Sequence, residues 1–259
     1  MNAPPSRASS DGWDRHWSAH AASNALNPAQ AYRRRLIFGA LDLSRARDTA
    51  RVLEIGSGQG ELSSEIKQRY PEADLVGVDL SDTGVALAQT KVPSGVFFQQ
   101  DLRQPMAIPE RYRAWATHAV CSEVLEHLDD PVLALRHARA CLAPGATLVL
   151  TVPAGPMSAF DRHIGHRAHF TRARLRQVLV DAGLNVEAIY GAGFPFFNLY
   201  RLTVIARGRR LINDADGALP GPARAMIWLF SRLFSLNSRA GRLGWQLLAV
   251  AREPEQPRR

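Results

Sequence analysis

Short apolar runs alternate with amphipathic stretches between residues 51 and 190 of the chain. The apolar runs predict strands over 51–56, 74–79, 95–100, 116–122, 146–152 and 184–190. The stretches between them predict helices over 61–70, 82–91, 131–142 and 171–183, the last of which ends on a glycine. This alternation of strand and helix predicts a parallel sheet that carries helices on both faces.

The alternation stops near residue 193. Two helices are predicted over 194–210 and 223–237, around a turn rich in glycine and proline, and a final strand over 244–251. At the other end, residues 12–43 have helical spacing of apolar positions, and residues 1–11 are polar and predicted to be disordered. We therefore divide the chain into a disordered start with an N-terminal helical cap (1–45), a core (46–193), a helical insertion (194–243), and a final core strand with a disordered tail (244–259).

The composition restricts the class of protein but does not indicate a function. The chain has 259 residues, of which 46% are hydrophobic and 22% charged, which excludes a disordered or collagen-like protein. Its two cysteines, Cys121 and Cys141, form no paired motif, so neither a disulfide framework nor a cysteine zinc site is expected. The N-terminus lacks a signal-peptide core, and no apolar run reaches the roughly 18 residues of a membrane span. A cytoplasmic location is expected.

Positive charge is concentrated towards the C-terminus. The formal net charge is +8, and residues 194–259 hold 11 arginines against four acidic residues. A coding bias towards arginine is the interpretation we favour, while an acidic substrate, an anionic membrane surface and nucleic acid are alternatives.

A glycine-rich turn follows the first predicted strand and precedes a helix, in the order Glu54-Ile55-Gly56-Ser57-Gly58-Gln59-Gly60. In that context glycines allow a tight turn and close approach of a ligand to the backbone. Asp79 ends the second strand, where a carboxylate can accept hydrogen bonds from ribose hydroxyls, and Asp101 follows the third, within reach of an adenine amino group. A glycine turn of this kind also occurs in nicotinamide dehydrogenases. Two features disfavour that interpretation: Glu54 stands where the dehydrogenase fingerprint has an apolar residue, and the third glycine comes one residue early.

The segments VLEIGSGQG, LVGVDLS, FQQDL, AVCSEVLEHLDDP and LAPGATLVLTVP resemble class I S-adenosylmethionine-dependent methyltransferases, in particular the group that O-methylates small molecules. The resemblance covers residues 51 to about 190. It implies an α/β Rossmann-like, doubly wound sheet of seven strands, with the last strand antiparallel and inserted beside the sixth. It also implies S-adenosyl-L-methionine as methyl donor, with the glycines near its amino acid part. The implied donor-binding residues are Glu54, Gly56, Ser57, Gly58, Gly60, Asp79, Leu80, Asp101, Leu102 and Ser122.

On the acceptor side, Glu123, Glu126 and His127 have the spacing of one helical face, and His166 lies in a second polar cluster over 161–172. In the interpretation we favour, Glu123 and either His127 or His166 are catalytic, and a histidine takes a proton from the acceptor. In the second interpretation Glu123, Glu126, His127 and His166 bind a divalent metal. That pattern resembles small-RNA 3′-terminal 2′-O-methyltransferases, but the residues after His166 lack the paired aromatic residues of that group.

The remaining predictions concern the acceptor and the insertion. The N-terminal helices are expected over the donor edge of the sheet, and the predicted acceptor contacts are Tyr32, Arg33, Arg167, Phe197 and Tyr200. The insertion is interpreted as a hairpin packed on the sheet or against a second copy, as a lid, or as a membrane contact.

The sequence thus predicts a biosynthetic O-methyltransferase that acts on a hydroxyl or carboxylate of a small, partly apolar molecule, acidic or neutral. Ubiquinone-type O-methyltransferases share the Glu123–Leu128 segment, so that segment leaves the acceptor open. Nucleic acid is not expected as a partner. The alternatives are a metal-dependent RNA 3′-terminal 2′-O-methyltransferase, and a peripheral membrane or scaffold protein that keeps a donor pocket.

Overall fold

The computed structural model of the chain describes residues 12, 14, 27–43, 49–207 and 221–255, and of residues 221–224 it describes only the backbone. Seven strands form one sheet in the order β3-β2-β1-β4-β5-β7-β6. Their bounds are β1 Arg51–Ile55, β2 Asp74–Asp79, β3 Val96–Gln99, β4 Ala116–Ser122, β5 Leu142–Pro153, β6 Asn185–Ala192 and β7 Gln246–Arg252.

Helices connect the strands and flank the sheet. The α-helices are α1 Pro28–Leu41, α2 Glu61–Arg69, α3 Asp82–Lys91, α4 Pro131–Arg139, α5 Ala159–His163, α6 Arg172–Asp181, α7 Phe196–Arg207 and α8 Gly221–Leu233. Short 3₁₀ turns cover Glu110–Tyr112, Leu125–His127 and Phe234–Leu236. The helix predicted before residue 27 lies outside the described residues, except for residues 12 and 14. The glycine- and proline-rich turn is predicted over 217–222, but residues 221 and 222 form the start of α8, and the rest of the turn lies outside the described residues.

The topology confirms the predicted fold class. Strands β1 to β5 pair in parallel, and β7 runs antiparallel between β5 and β6. Because parallel strands share a direction, the carboxyl ends of β1, β2, β4 and β5 lie at one edge. The glycine turn, Asp79, Glu123 and the loop before α6 all belong to this edge.

Each face of the sheet carries its own buried cluster. On one face α4 and α6 pack through Leu135, Leu175 and Leu179. On the other face α1 packs through Leu36 and Ile37, in the same cluster as Val52 and Val149. The N-terminal helices are predicted over the donor edge. Of these, α1 covers the sheet face, because its apolar residues recur on one side and bury against β4, β5 and β7. Asp14 of the preceding stretch does reach the donor edge, where its Oδ1 accepts from the Thr83 N–H at 3.2 Å.

The insertion between β6 and β7 packs on the α1 face. Phe197 of α7 and Phe234 are buried against Tyr32 of α1, with ring centroids 5.5 Å apart in both pairs. The side chain of Asn237 accepts hydrogen bonds from the backbone N–H groups of Phe196 and Phe197, at 2.8 and 3.2 Å. It therefore caps the start of α7 from outside that helix. Within the described residues, no helix combines the length and the apolar character that crossing a bilayer requires.

Candidate active site

The glycine turn after β1 has the backbone conformation that its sequence predicts. Gly56, Gly58 and Gly60 all have positive φ angles, at 77°, 50° and 78°. The N–H groups of Gly56 and Ser57 both donate to the Val78 carbonyl, at 2.8 and 3.0 Å, which fixes the turn against the end of β2. A Cβ atom on Gly56 would lie 2.2 Å from Cγ2 of Val124, so no other residue fits there without a shift.

Asp79 is held in place by the turn it faces. Its Oδ2 accepts from the Gly58 N–H at 2.8 Å, and its Oδ1 accepts from the Ser81 N–H at 2.9 Å. Burial raises the pKa of this carboxyl, which these two hydrogen bonds oppose. Each oxygen keeps a further lone pair, so the carboxylate is oriented to receive a diol.

Glu54 lies beneath the same turn and is buried. The Ser63 hydroxyl donates to its Oε2. Burial raises the pKa of Glu54 to about 8, and neighbouring Asp79 adds to the effect. The Ser57 hydroxyl is also buried, and within the described part of the chain it has no hydrogen-bond partner. An acidic, partly unsatisfied cradle of this kind fits a donor that carries an ammonium and a ribose.

The other predicted donor residues lie along the same edge. Asp101 forms an ion pair with Arg103, with Nη2 and Oδ2 2.7 Å apart, and this pair lowers its pKa despite partial burial. The Ser122 hydroxyl shares a hydrogen bond of 2.8 Å with Thr151. Leu102 is buried at the margin of the core, while Leu80 is half-buried after β2. Their contacts with the donor stay predictions.

On the acceptor side, Glu123 has an unusual backbone conformation. Its φ is +56°, in the left-handed region that residues with a side chain rarely adopt. Its Oε1 accepts from the Gln246 amide at 2.8 Å, and its Oε2 lies 3.5 Å from an Nη atom of Arg33. Glu123 is therefore a fixed, charge-paired carboxylate that brings Arg33 of α1 and Gln246 of β7 to the edge.

Glu126 is a buried acid whose carboxyl group lacks hydrogen-bond partners among the described residues. It is 1% exposed, and neither carboxylate oxygen has a hydrogen-bond partner among the described residues. Burial and the nearby Glu123 raise its pKa well above the usual range. One ligand atom from each of Glu126, His127 and His166 lies within 4.8 Å of the others. A second such group joins Asp161, His166 and His169, whereas Glu123 belongs to neither group.

Two histidines of the loop after α5, His166 and His169, form a row of three with His127 of the turn after β4. The rings of His127 and His166 meet edge to face, with centroids 4.7 Å apart. Nδ1 of His166 lies 3.2 Å from Nε2 of His169, and Nδ1 of His169 lies 3.0 Å from the Gly155 carbonyl oxygen. Because a carbonyl only accepts, Nδ1 of His169 carries its proton, and its Nε2 then accepts from His166. The lone pair of His166 is thereby assigned to its Nε2.

His166 and His169 are both kept neutral by burial. Burial lowers the pKa of His169. Burial and neighbouring His127 lower the pKa of His166 to about 3. Neutral imidazoles are the form in which the assigned hydrogen bonds hold and in which Nε2 of His166 keeps its lone pair. So low a pKa makes His166 a weak base, so it can take the proton only as the new carbon–oxygen bond makes the hydroxyl proton strongly acidic.

Asp161 connects the row of histidines to the insertion. Arg201 of α7 binds it with two hydrogen bonds, of 3.0 and 2.7 Å. Asp161 also accepts from the Ser158 N–H, while its own carbonyl accepts from the His166 N–H. Burial opposes its ionisation, but Arg201 and Ser158 lower its pKa to about 2. The insertion is thus tied by a buried ion pair to the loop that carries His166.

The predicted acceptor contacts divide into two sets. Arg33 and Tyr200 are half-buried. Arg33 reaches the polar edge through its ion pair with Glu123. Burial raises the pKa of the Tyr200 hydroxyl, and Arg33 and Arg201 lie close enough that their charges lower it. Tyr32 and Phe197 are instead buried in the aromatic cluster, and the Tyr32 hydroxyl donates to the Ser238 carbonyl at 3.2 Å. Tyr32 and Phe197 therefore help to pack α1 against α7, and their contact with the acceptor stays a prediction.

Arg167 joins two loops. Its side chain donates to the His127 carbonyl at 3.0 Å and pairs with Asp129 at 2.8 Å. These contacts fix the loop of His166 onto the loop of Glu126. A contact between Arg167 and the acceptor stays a prediction.

Sequence reasoning missed Gln246, Arg201 and the positioning part of His169. Gln246 is the first residue of β7, opposite Pro153, and its amide also donates to the Val152 carbonyl at 3.0 Å. A polar residue that opens an apolar strand was the available signal. Arg201 had none, because an arginine on an apolar helix reads as a solvated side chain.

Comparisons with known proteins agree with this geometry. A family model described as a methyltransferase domain matches residues 29–189. A ubiquinone biosynthesis O-methyltransferase of Psychrobacter arcticus is 32% identical over 162 residues, which cover 54% of this chain and 61% of that protein. The enzyme of the same description from Xanthomonas euvesicatoria is 25% identical over 207 residues, 73% of this chain and 84% of its own.

Among solved structures, phosphoethanolamine N-methyltransferase 2 of Haemonchus contortus in complex with S-adenosyl-L-methionine is similar, with a TM-score of 0.63 and 14% identity. The match covers 95% of this chain and 60% of that one, and it supports the fold alone. The chain belongs to the methyltransferase-domain family and is a class I S-adenosylmethionine-dependent methyltransferase.

Proposed function

We propose that the protein transfers the methyl group of S-adenosyl-L-methionine to a hydroxyl oxygen of a small, partly apolar organic molecule. The observation that carries this proposal is the chain from Gly155 through His169 to His166, which gives His166 an unprotonated Nε2 at the acceptor edge. A hydroxyl acceptor is the class that needs such a proton acceptor, whereas a carboxylate needs none. The names of the curated relatives, ubiquinone biosynthesis O-methyltransferases, support oxygen as the atom methylated.

The glycine turn, Glu54, Ser57 and Asp79 would hold the donor, which supplies a methyl group made electrophilic by its sulfonium. The acceptor oxygen attacks that carbon, the carbon–sulfur bond breaks, and its electron pair stays on sulfur. Nε2 of His166 takes the hydroxyl proton. The protein contributes position and proton transfer, because the donor is already activated.

Two features of the edge support a partly apolar, electron-rich acceptor. Arg33 provides positive charge beside Glu123 and Tyr200. Tyr200 extends this polar edge into the aromatic cluster of Phe230 and Phe234, with ring centroids 5.4 and 5.7 Å away. An acceptor with an oxygen function at one end and a ring or alkyl part at the other matches this change in character.

The test is transfer of labelled methyl from the donor to a small-molecule extract rich in phenols and hydroxy acids, with a pool of short RNA in parallel. We expect label in the small molecules. His166→Asn is expected to lose about 10²–10⁴-fold in rate. His163→Asn is the matched control, because that histidine is exposed at the end of α5, three residues before His166. Label in RNA alone would contradict the proposal.

A metal-dependent form of the same reaction is the second candidate, and the uncompensated carboxylate of Glu126 beside His127 and His166 favours it. One carboxylate and two imidazoles suit manganese, iron, cobalt or zinc better than magnesium. Loss of transfer on adding a chelator, with recovery on returning one of these ions, would establish it. Transfer that is indifferent to the chelator would leave His166 as the proton acceptor.

A further inference from the structure

The outward side of the insertion carries large apolar side chains in the solvent. On α8, Phe230 is buried while Trp228 is 60% and Leu229 47% exposed; Leu236, in the following turn, is 67% exposed. On α7, Leu199 and Leu202 are each 48% exposed and lie one helical turn apart. The inward faces of both helices already pack in the aromatic cluster, so the packing of the fold does not need these exposed side chains.

Positive charge surrounds these side chains. The guanidinium of Arg232 lies 5.5 Å from the Trp228 ring centroid, and Arg232 and Arg239 are exposed. The insertion, residues 194–243, contains eight arginines and two acidic residues, Asp214 and Asp216, and one of the arginines, Arg201, is neutralised by Asp161. An exposed helical surface composed of Trp, Leu and Arg is typical of helices that lie in the headgroup region of a bilayer.

We propose that the outward surface of α7 and α8, with Trp228, Leu229, Leu236 and Arg232, binds the surface of an anionic phospholipid bilayer. Trp228 and the leucines would enter the boundary between headgroups and acyl chains, and the arginines would meet the phosphates. At 13 residues α8 is about 20 Å long, which suits a helix lying parallel to the surface.

Charge decides between a bilayer and a second copy of the chain. A twofold contact would bring the same patch together on both copies, and arginines would then face arginines. Like charges across an interface cost binding energy, whereas anionic headgroups complement them. The proposal is independent of the reaction, because none of these side chains belongs to the donor or acceptor edge.

The experiment is co-sedimentation of the full chain with vesicles of phosphatidylcholine alone, or of phosphatidylcholine mixed with phosphatidylglycerol. We expect sedimentation with the anionic vesicles only, weakened by salt. The double variant Trp228→Ser, Leu229→Ser is expected to lose it. Leu133→Ser, Val180→Ser is the matched control, because Leu133 and Val180 are exposed apolar residues on helices away from the insertion. Arg232→Gln is expected to weaken binding roughly fivefold.

A second readout separates loss of binding from loss of folding. Tryptophan fluorescence of the wild type is expected to shift to shorter wavelength with anionic vesicles, and Trp228→Phe is expected to keep sedimentation while losing most of that shift. Equal sedimentation of the wild type and the Trp228, Leu229 variant would overturn the proposal. A second outcome would also overturn it: the wild type does not bind vesicles but forms a concentration-dependent dimer, and the Trp228, Leu229 variant is monomeric. The surface would then bind a second copy of the chain.

Discussion

His169 determines which nitrogen of His166 can accept a proton, although it lies one step from the acceptor edge. The sequence placed His166 correctly in a polar cluster but gave no reason to separate it from His127. The distinction comes from the Gly155 carbonyl, which is brought to His169 by the turn after β5. This hydrogen bond joins the His169 side chain to a backbone carbonyl 14 residues away, so the spacing of residue types in the sequence does not reveal it.

His169→Phe is expected to lower kcat by about 10²-fold, because Nδ1 of His166 loses its acceptor and the tautomer is no longer fixed. His169→Gln is expected to restore most of the rate, since its amide can donate to Gly155 and accept from His166. Donor binding should change in neither variant. Steady-state kinetics and a donor-binding titration measure both quantities, and equal rates for Phe and Gln at this position would argue against the assignment.

Glu54 is expected to make the stability of the donor-free protein depend on pH. Burial raises its pKa from 4.5 to about 8, so the folded state binds more protons than the unfolded state between these values. The contribution of Glu54 to stability is therefore present below pH 4.5 and is lost as the pH rises towards 8, by a few kcal/mol. Glu54→Gln is expected to remove this slope, because its amide stays neutral.

Thermal unfolding of the wild type and Glu54→Gln across that pH range measures the difference. The advantage of the glutamine variant should grow with pH. Parallel curves for the two proteins would show that the carboxyl of Glu54 ionises in the folded state as it does in the unfolded one.

At the scale of elements, the strands could be predicted from the sequence and the ends of the insertion helices could not. Buried strands such as β1 and β4 appear as apolar runs, and β4 has the predicted bounds. The insertion helices were predicted over 194–210 and 223–237, whereas α7 starts at Phe196 and α8 ends at Leu233. The start of α7 depends on Asn237, a residue 41 positions later that accepts from Phe196.

Asn237→Ala is expected to destabilise the protein by about 1 kcal/mol, because two backbone donors at the start of α7 lose their acceptor. The loss should be local. Hydrogen exchange is expected to show faster exchange in α7, while α1 is unchanged. Asn27→Ala is the matched control, since Asn27 caps α1 through the Ala29 N–H and its loss should loosen α1 alone. A uniform loss of protection in both variants would contradict this account.

At the scale of the whole molecule, the glycine turn and the acids at successive strand ends were enough to predict the donor side. Those residues follow strands directly, and parallel topology brings strand ends together. The acceptor side depends on residues that are far apart in the sequence and come together in the folded sheet. Gln246 of β7 reaches Glu123, the residue after β4, and Arg201 of the insertion reaches Asp161. The antiparallel placement of β7 came from family resemblance, not from the pattern of apolar positions.

The central claim is that the methyl group goes to an oxygen, and one measurement tests it directly. The donor is prepared with a ¹³C-labelled methyl group and incubated with the protein and the small-molecule extract. The carbon chemical shift of the transferred methyl then identifies the atom that carries it. We predict a methoxy signal that disappears with His166→Asn and persists with His163→Asn. A methyl signal on nitrogen or carbon, or a methoxy signal unaffected by His166→Asn, would contradict the account.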